Sequence, residues 1–152
     1  ASQVGAGTVC EVGFNAGHGA VALLHGLQTK LVEFDMMAMP YSYLSRFAVE
    51  HAYPGRMRFF SGRSQLTIPN YAGLIAADPE SNPPCDAWLV DGDHGKRALL
   101  DMQAAVNTSR DGALIVADDC SLLPRHNVGG QGVMASWRKM LERGHIVEHF
   151  QK

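Results

Sequence analysis

Val9-Cys10-Glu11-Val12-Gly13-Phe14-Asn15-Ala16-Gly17-His18-Gly19 runs an apolar strand into an acid and three glycines. A strand that ends in a glycine-rich turn before a helix can seat a nucleotide-like ligand. Glycine admits φ > 0 and keeps a Cβ out of the ligand's way. The spacing, Glu-x-Gly-x-x-x-Gly-x-Gly, departs from the Gly-x-Gly-x-x-Gly dinucleotide fingerprint, whose glycines bring a pyrophosphate to a helix N-terminus. That departure speaks against a nicotinamide dehydrogenase. A plain strand-to-helix turn is the alternative reading of the same residues.

Outward from this stretch, short apolar runs alternate with helix-like segments. Strands are expected at 9–12, 30–34, 57–61, 87–90, 113–117 and 146–150, each a run of the kind buried on both faces in a parallel sheet. Helices are expected at 19–27, 41–52, 71–77, 96–107 and 133–143. Pro54-Gly55, Asn82-Pro83-Pro84, Arg110-Asp111-Gly112 and Arg143-Gly144 punctuate them as turns or helix stops. The alternation predicts an α/β domain, Rossmann-like and doubly wound, with a mostly parallel sheet and helices on both faces. In such sheets ligands bind beyond the carboxyl ends of the strands, so the residues just after each strand are the ones to inspect.

After the second strand stands Asp35, where a carboxylate can accept hydrogen bonds from both hydroxyls of a ribose; Glu33 is the second choice. The alternative is an acid capping the helix that follows. After the third strand, Ser61-Gly62-Arg63-Ser64-Gln65 is a small-residue turn suited to the edge of an adenine. The fourth strand ends in Asp91-Gly92-Asp93-His94 and the fifth in Asp118-Asp119. So many carboxylates at adjacent strand ends repel one another unless a positive charge offsets them. A divalent cation held by Asp91, Asp118 and Asp119 is the economical account, and oxygen-only ligands suit Mg²⁺ or Mn²⁺. Helix capping, or the binding of a cofactor amine by an acid such as Asp91, is the competing account.

Composition narrows the class. The chain has 152 residues, 46% of them hydrophobic and 18% charged, which suits one domain, 1–152, with a real core. A net charge of -2 gives no electrostatic reason to expect a nucleic acid or a membrane surface as partner. Cys10, Cys85 and Cys120 are odd in number and lack Cys-x-x-Cys spacing, so free thiols in a reducing compartment, the cytoplasm, are the simplest account.

The first motif, Asp35, the Asp91-Gly92-Asp93-His94 block and the Asp118-Asp119 pair together resemble the metal-dependent small-molecule O-methyltransferases, a branch of the class I S-adenosylmethionine-dependent methyltransferases. The resemblance runs from Val9 to His149. It implies that Glu11, Gly13, Asn15, Gly17 and Gly19 line the methionine side of the cofactor and that Asp35 binds its ribose. Arg63, Ser64 and Gln65 would face adenine, although sugar-modifying relatives more often carry Gly-Asp-Ser there and Arg63 departs from that pattern. Asp91, Asp118 and Asp119 carry over as metal ligands. The seventh, antiparallel strand such sheets usually gain is not among the strands read here, so the chain is expected to be a minimal or truncated version of the domain. An exposed sheet edge invites a second subunit, and a homo-oligomer is carried as an expectation.

Methyl transfer from a sulfonium requires an aligned acceptor oxygen and a base to take its proton. Asp93 and His94 are the candidates, with Asp93 placed slightly ahead. The expected substrate is a small hydroxylated molecule: a sugar, a polyol or a catechol. Two further readings stay open: a metal-independent methyltransferase of the same fold, and a non-catalytic domain that binds an adenosine ligand or a protein. Trp88 is expected in the core, Trp137 on the apolar face of an amphipathic helix, and Met36, Met37 and Met39 as filler. The polar stretch 121–132 is read as a lid or substrate loop.

Overall fold

The computed structural model describes residues 7–26, 28–120 and 132–148. Five strands, β1 Thr8–Val12, β2 Lys30–Asp35, β3 Met57–Ser61, β4 Cys85–Val90 and β5 Ser109–Ala117, alternate with α1 His18–Gly26, α2 Pro40–Ala52, α3 Ser64–Ala77, α4 Ala98–Asn107 and α5 Val133–Glu142. All strand pairs are parallel, in the order β3-β2-β1-β4-β5. The doubly wound α/β fold expected from the sequence is the fold observed.

Side chains along β1 and β2 divide the core by the two-residue period of a strand. Cys10, Val12, Val32 and Phe34 point to the face covered by Ile68 and Tyr71 of α3, Met102 of α4 and Met140 of α5. Val9 and Leu31 point to the other face, with Ala20 and Leu24 of α1 and Val49 of α2. Phe34 is the centre of the first face, stacked between Phe60 at 5.2 Å and Trp88 at 5.6 Å with Tyr71 edge-on. Aromatic pairs at such separations add to the area they bury. Trp88 is therefore core, as expected, and Trp137 packs half-buried against the same cluster.

Four expectations need correction. Helix α3 begins at Ser64, not at residue 71, and contains Pro69. An interior proline removes one helical hydrogen bond, and the complete burial of Ile68 and Tyr71 on either side of it offsets that loss. Strand β5 begins at Ser109, and the Arg110-Asp111-Gly112 turn is absorbed as a register irregularity: Cys85 pairs with Ser109, but Ala87 pairs with Leu114. Residues 146–148 form no strand, and 149–150 lie outside the described residues, as does most of the expected lid, 121–131. Cys10 and Cys85, both fully buried, are joined as a disulfide between β1 and β4. Separated by 75 positions, they become neighbours only through the sheet order, and no local spacing announces the pair. Cys120 remains a free, exposed thiol.

Closing so long a loop restricts the unfolded chain. The Cys10→Ala/Cys85→Ala double variant is expected to lose about 2–4 kcal/mol in urea unfolding under oxidising conditions, and dithiothreitol is expected to lower the wild type similarly. Indifference of the wild type to reductant would contradict the bond.

Candidate functional site

The strand order reverses between β1 and β4. The chain leaves one toward β2 and the other toward β5, which opens a crevice at their carboxyl ends. A cleft of about 300 Å³ lies there, bordered by Gly13 and Asn15 after β1, Asp35 and Met36 after β2, Gly62, Ser64 and Gln65 after β3, and Asp91, Asp93 and His94 after β4. Each of these wall segments follows a different strand.

The glycine loop is shaped by protein atoms as much as by any ligand. At Gly13, with φ of +109°, a Cβ would stand 2.0 Å from the backbone oxygen of Asp91. At Gly19 a Cβ would meet Glu11 Oε1 at 2.0 Å. Glu11, Gly17, Gly19 and Arg63 do not border the cleft. Glu11 is instead buried in β1, in register with Glu33 of β2, which is also fully buried and so is not available to a ribose. Burial pushes both carboxyls above the ordinary glutamate range, Glu33 far above it. As two carboxylates they lack donors: neither Glu33 oxygen nor Glu11 Oε2 has a hydrogen-bond partner. A proton kept on Glu33 and donated to Glu11 supplies one.

Asp35 stands at the tip of β2 with the cleft before it. Its Oδ2 accepts the Asn15 amide at 3.1 Å and its Oδ1 accepts the Met37 amide. Asn15 and Met37 both adopt left-handed backbone, with φ of 48° and 56°. Non-glycine residues rarely do so, and such strain gathers where a structure positions a ligand. A carboxylate oxygen has two lone pairs, so each keeps one for a ribose hydroxyl. The Tyr41 hydroxyl donates to Asn15 Oδ1 at 2.6 Å and ties the start of α2 to the loop.

At the other end of the cleft stand Asp91 and His94; with Asp119, which like Asp118 does not border the cleft, each offers a ligand atom, all within 4.8 Å of one another. This trio differs from the expected metal set by one residue, with His94 where Asp118 was expected. Asp118 is exposed, and its Oδ1 accepts the Asp119 amide at 2.8 Å. Burial raises the pKa of Asp91, and the charge of Asp118 raises it further, against the opposing pull of His94. The trio fits a divalent cation by its donor set, two carboxylates and an imidazole. His94 Nδ1 lies 2.7 Å from Asp119 Oδ2. Asp93 is engaged differently: its Oδ1 accepts the amides of Gly95 at 2.7 Å and Arg97 at 3.3 Å, closing the turn into α4.

The sequence reading missed Ser42, Arg97 and Asp101 in the cleft wall. Met36 and Met39, read as filler, border the cleft half-exposed, whereas Met37 is buried. Asp101 had a legible signal: it falls at the i+3 position of a buried stripe, Ala98, Asp101, Met102 and Ala105. A carboxylate there needs partners. Burial raises its pKa, and the Ser64 hydroxyl and Gln65 amide nitrogen, both donating to Oδ1, pull it back, while Oδ2 has no partner.

Residues 10–120 match the family described as a methyltransferase domain, and the chain belongs to that family. No curated protein sequence matches it significantly. Among solved structures it is similar to the O-methyltransferase TomG from Streptomyces achromogenes, a tomaymycin-synthesis enzyme solved with SAM: 19% identity and TM-score 0.71, over 93% of this chain and 63% of that one. The O-methyltransferase from Bacillus cereus in complex with SAH gives 19% identity and TM-score 0.66, over 91% of this chain and 62% of that one. MycE from the mycinamycin pathway, solved with Mg and SAH, gives 17% identity and TM-score 0.56, over 97% of this chain and 35% of that one. The fold is that of the class I S-adenosylmethionine-dependent methyltransferases. The chain spans less than two thirds of the length of each of these proteins.

The Glu11–Glu33 pair makes a pH-dependent contribution. With both pKa values raised, it is full below the ordinary glutamate range and is lost as pH rises through the raised values. Glu33→Gln keeps a neutral donor opposite Glu11 without that loss. We expect the variant to exceed the wild type at pH 8 by about 1–3 kcal/mol, and the two to converge toward pH 5 in urea unfolding. A difference constant across this range would rule out the shared proton.

Proposed function

We propose that this chain is the cofactor-binding and catalytic domain of a metal-assisted, S-adenosylmethionine-dependent O-methyltransferase acting on a small hydroxylated molecule such as a sugar, polyol or catechol. The observation that carries the reading is the cleft at the sheet's reversal, which joins Asp35, the Ser64-Gln65 turn, Asp91 and His94, with Asp119 beside the last two, on a methyltransferase-domain chain. The relatives solved with SAM or SAH, and MycE with Mg, support the choice of ligands.

In this reading Asp35 accepts the ribose hydroxyls, Gly13 and Asn15 border the methionine side, and Ser64 and Gln65 meet the adenine. When bound, the cofactor supplies a methyl group on a sulfonium, and a divalent cation held by Asp91 and Asp119 lowers the pKa of an acceptor hydroxyl. Asp118 could join that set by turning its exposed side chain. His94, which in this reading stands beside the cation rather than binding it, is favoured over Asp93 as the base. With Nδ1–H donated to Asp119, the Nε2 of neutral His94 is an acceptor for the substrate's proton. Asp93 is occupied by the turn amides of Gly95 and Arg97.

A homo-oligomer remains part of the proposal. Tyr43, Leu44 and Phe47 expose apolar surface on α2, and among the described residues β3 and β5 are the outer strands of the sheet. Light scattering on the purified chain tests it. No described helix is long and apolar enough to cross a membrane. A cytoplasmic setting is likewise proposed without its first support, since Cys10 and Cys85 are paired rather than free.

Isothermal titration with S-adenosylhomocysteine should give micromolar binding. Asp35→Ala is expected to weaken it by roughly tenfold to a hundredfold, the loss of hydrogen bonds to a charged group. Titration with Mg²⁺ should give heat that Asp119→Ala abolishes. Absence of cofactor binding with and without Mg²⁺ would sink the proposal; binding of cofactor but not of metal would favour the metal-independent enzyme. Once a substrate is found, His94→Gln should lower kcat by about 10²–10⁴-fold while Asp93→Asn retains most activity.

A further inference from the structure

Cys10 and Cys85 are each 0% exposed, so no reductant reaches their bond while the fold is closed. They lie in the core cluster shared with Ile68 and Tyr71 of α3, Met102 and Ala105 of α4 and Met140 of α5. Two of these helices also hold the chain around Cys85. The Tyr71 hydroxyl of α3 donates to the Pro83 carbonyl oxygen at 2.6 Å. The Cys85 amide donates at 2.9 Å to the carbonyl oxygen of Thr108, the residue that caps α4.

The opposite ends of the same two helices build the cleft. Ser64 and Gln65 open α3, Asp101 lies in the first turn of α4, and all three border the cleft. The Ser64 hydroxyl donates to Asp101 Oδ1 at 2.6 Å and ties the two helices together there. The disulfide joins β1 and β4, the two strands whose ends form the cleft's rim. Lifting α3 and α4 to bare the sulfurs therefore dismantles the cleft, and a ligand seated in the cleft opposes that motion.

We propose that the Cys10–Cys85 disulfide is a redox switch keyed to the cleft: a dithiol reductant reaches it when the cleft is empty and is shut out when the cofactor holds α3 and α4 in place. The assignment rests on the cofactor reading above. One thiolate of the reductant attacks a sulfur of the bond and forms a mixed disulfide, and its second thiolate displaces the protein's sulfur. Two electrons and two protons thereby reach Cys10 and Cys85, and the reductant leaves as a cyclic disulfide. The β1–β4 tie is lost with the bond, so a reducing setting acts on the empty chain and spares the occupied one.

Dithiothreitol and intact-mass counting of maleimide adducts test the switch. The oxidised chain takes one adduct, at Cys120, and the reduced chain takes all three. With S-adenosylhomocysteine at about 100 times its Kd, reduction should slow by roughly a hundredfold, because the open form binds no cofactor. In Asp35→Ala at the same concentration, that protection should shrink by the factor that calorimetry gives for the lost affinity. Ser64→Ala and Tyr71→Phe each remove one of the hydrogen bonds that hold the helices down. Each should speed reduction of the empty chain by about three- to tenfold, with circular dichroism confirming the fold. An equal rate with and without bound S-adenosylhomocysteine would overturn the switch and show that the sulfurs are bared by a motion that leaves the cleft intact. Three adducts before any reductant is added would overturn it as well. If calorimetry shows no binding of S-adenosylhomocysteine, the cofactor reading falls and takes the switch with it.

Discussion

Where β1 and β4 end side by side, residue 13 has no room for a side chain: a Cβ would sit 2.0 Å from the backbone oxygen of Asp91. That close approach lets two strand ends from opposite halves of the sheet form one rim. Beyond it the chain diverges, toward β2 on one side and β5 on the other, and the cleft is the space left between the departing loops. Asp35 and Ser64 come from one half of the sheet, and Asp91 and His94 from the other. Any ligand spanning the cleft is thus gripped by groups whose spacing depends on the Gly13 contact. The Cys10–Cys85 bond ties the same two strands deeper in the sheet.

A second constraint lies beneath the loop. Glu11 and Glu33 occupy the same face of adjacent strands and are fully buried, so they are stable there only by sharing a proton. Gly19 is the complement of this arrangement, because its missing Cβ is the space that Glu11 Oε1 fills. The acid and the last glycine of the motif are therefore coupled to each other, and the cleft is served by the residues between them. The left-handed backbone of Asn15 and Met37, whose amides both serve Asp35, extends the same economy: the loops are strained into shape around a carboxylate that faces the ligand.

The succession of the first five strands along the chain and the acids at their tips were legible because each is local: a run of apolar residues, then a turn, then an acid. What was not legible depends on partners distant in the chain. Nothing around Cys10 points to Cys85, and no pattern at Glu11 indicates that its neighbour is Glu33 rather than a ligand. The start of α3 was obscured by Pro69, a true local signal overruled by the burial of Ile68 and Tyr71. Asp91 and Asp119 were found as strand-tip acids, but the third member of their trio, His94, could be told from Asp118 only by the turn that brings it over Asp119.

Charge accounts for the division of labour along the cleft. At one end, burial and then repulsion from Asp118 and Asp119 raise the pKa of Asp91, with the imidazole of His94 opposing them, and a cation bound there would relieve that repulsion. At the other end, burial raises the pKa of Asp101, while the Ser64 hydroxyl and the Gln65 amide nitrogen both donate to its Oδ1 and its Oδ2 is left without a partner. Neutral donors rather than an opposing charge meet that carboxyl, and they tie α4 to the start of α3. Asp93, whose side chain closes the turn after β4, stands between the two ends, and its charge adds to the upward push on Asp101. A displacement of the Asp91–His94 block would therefore be felt at both ends of the cleft, at Asp91 directly and at Asp101 through the charge of Asp93.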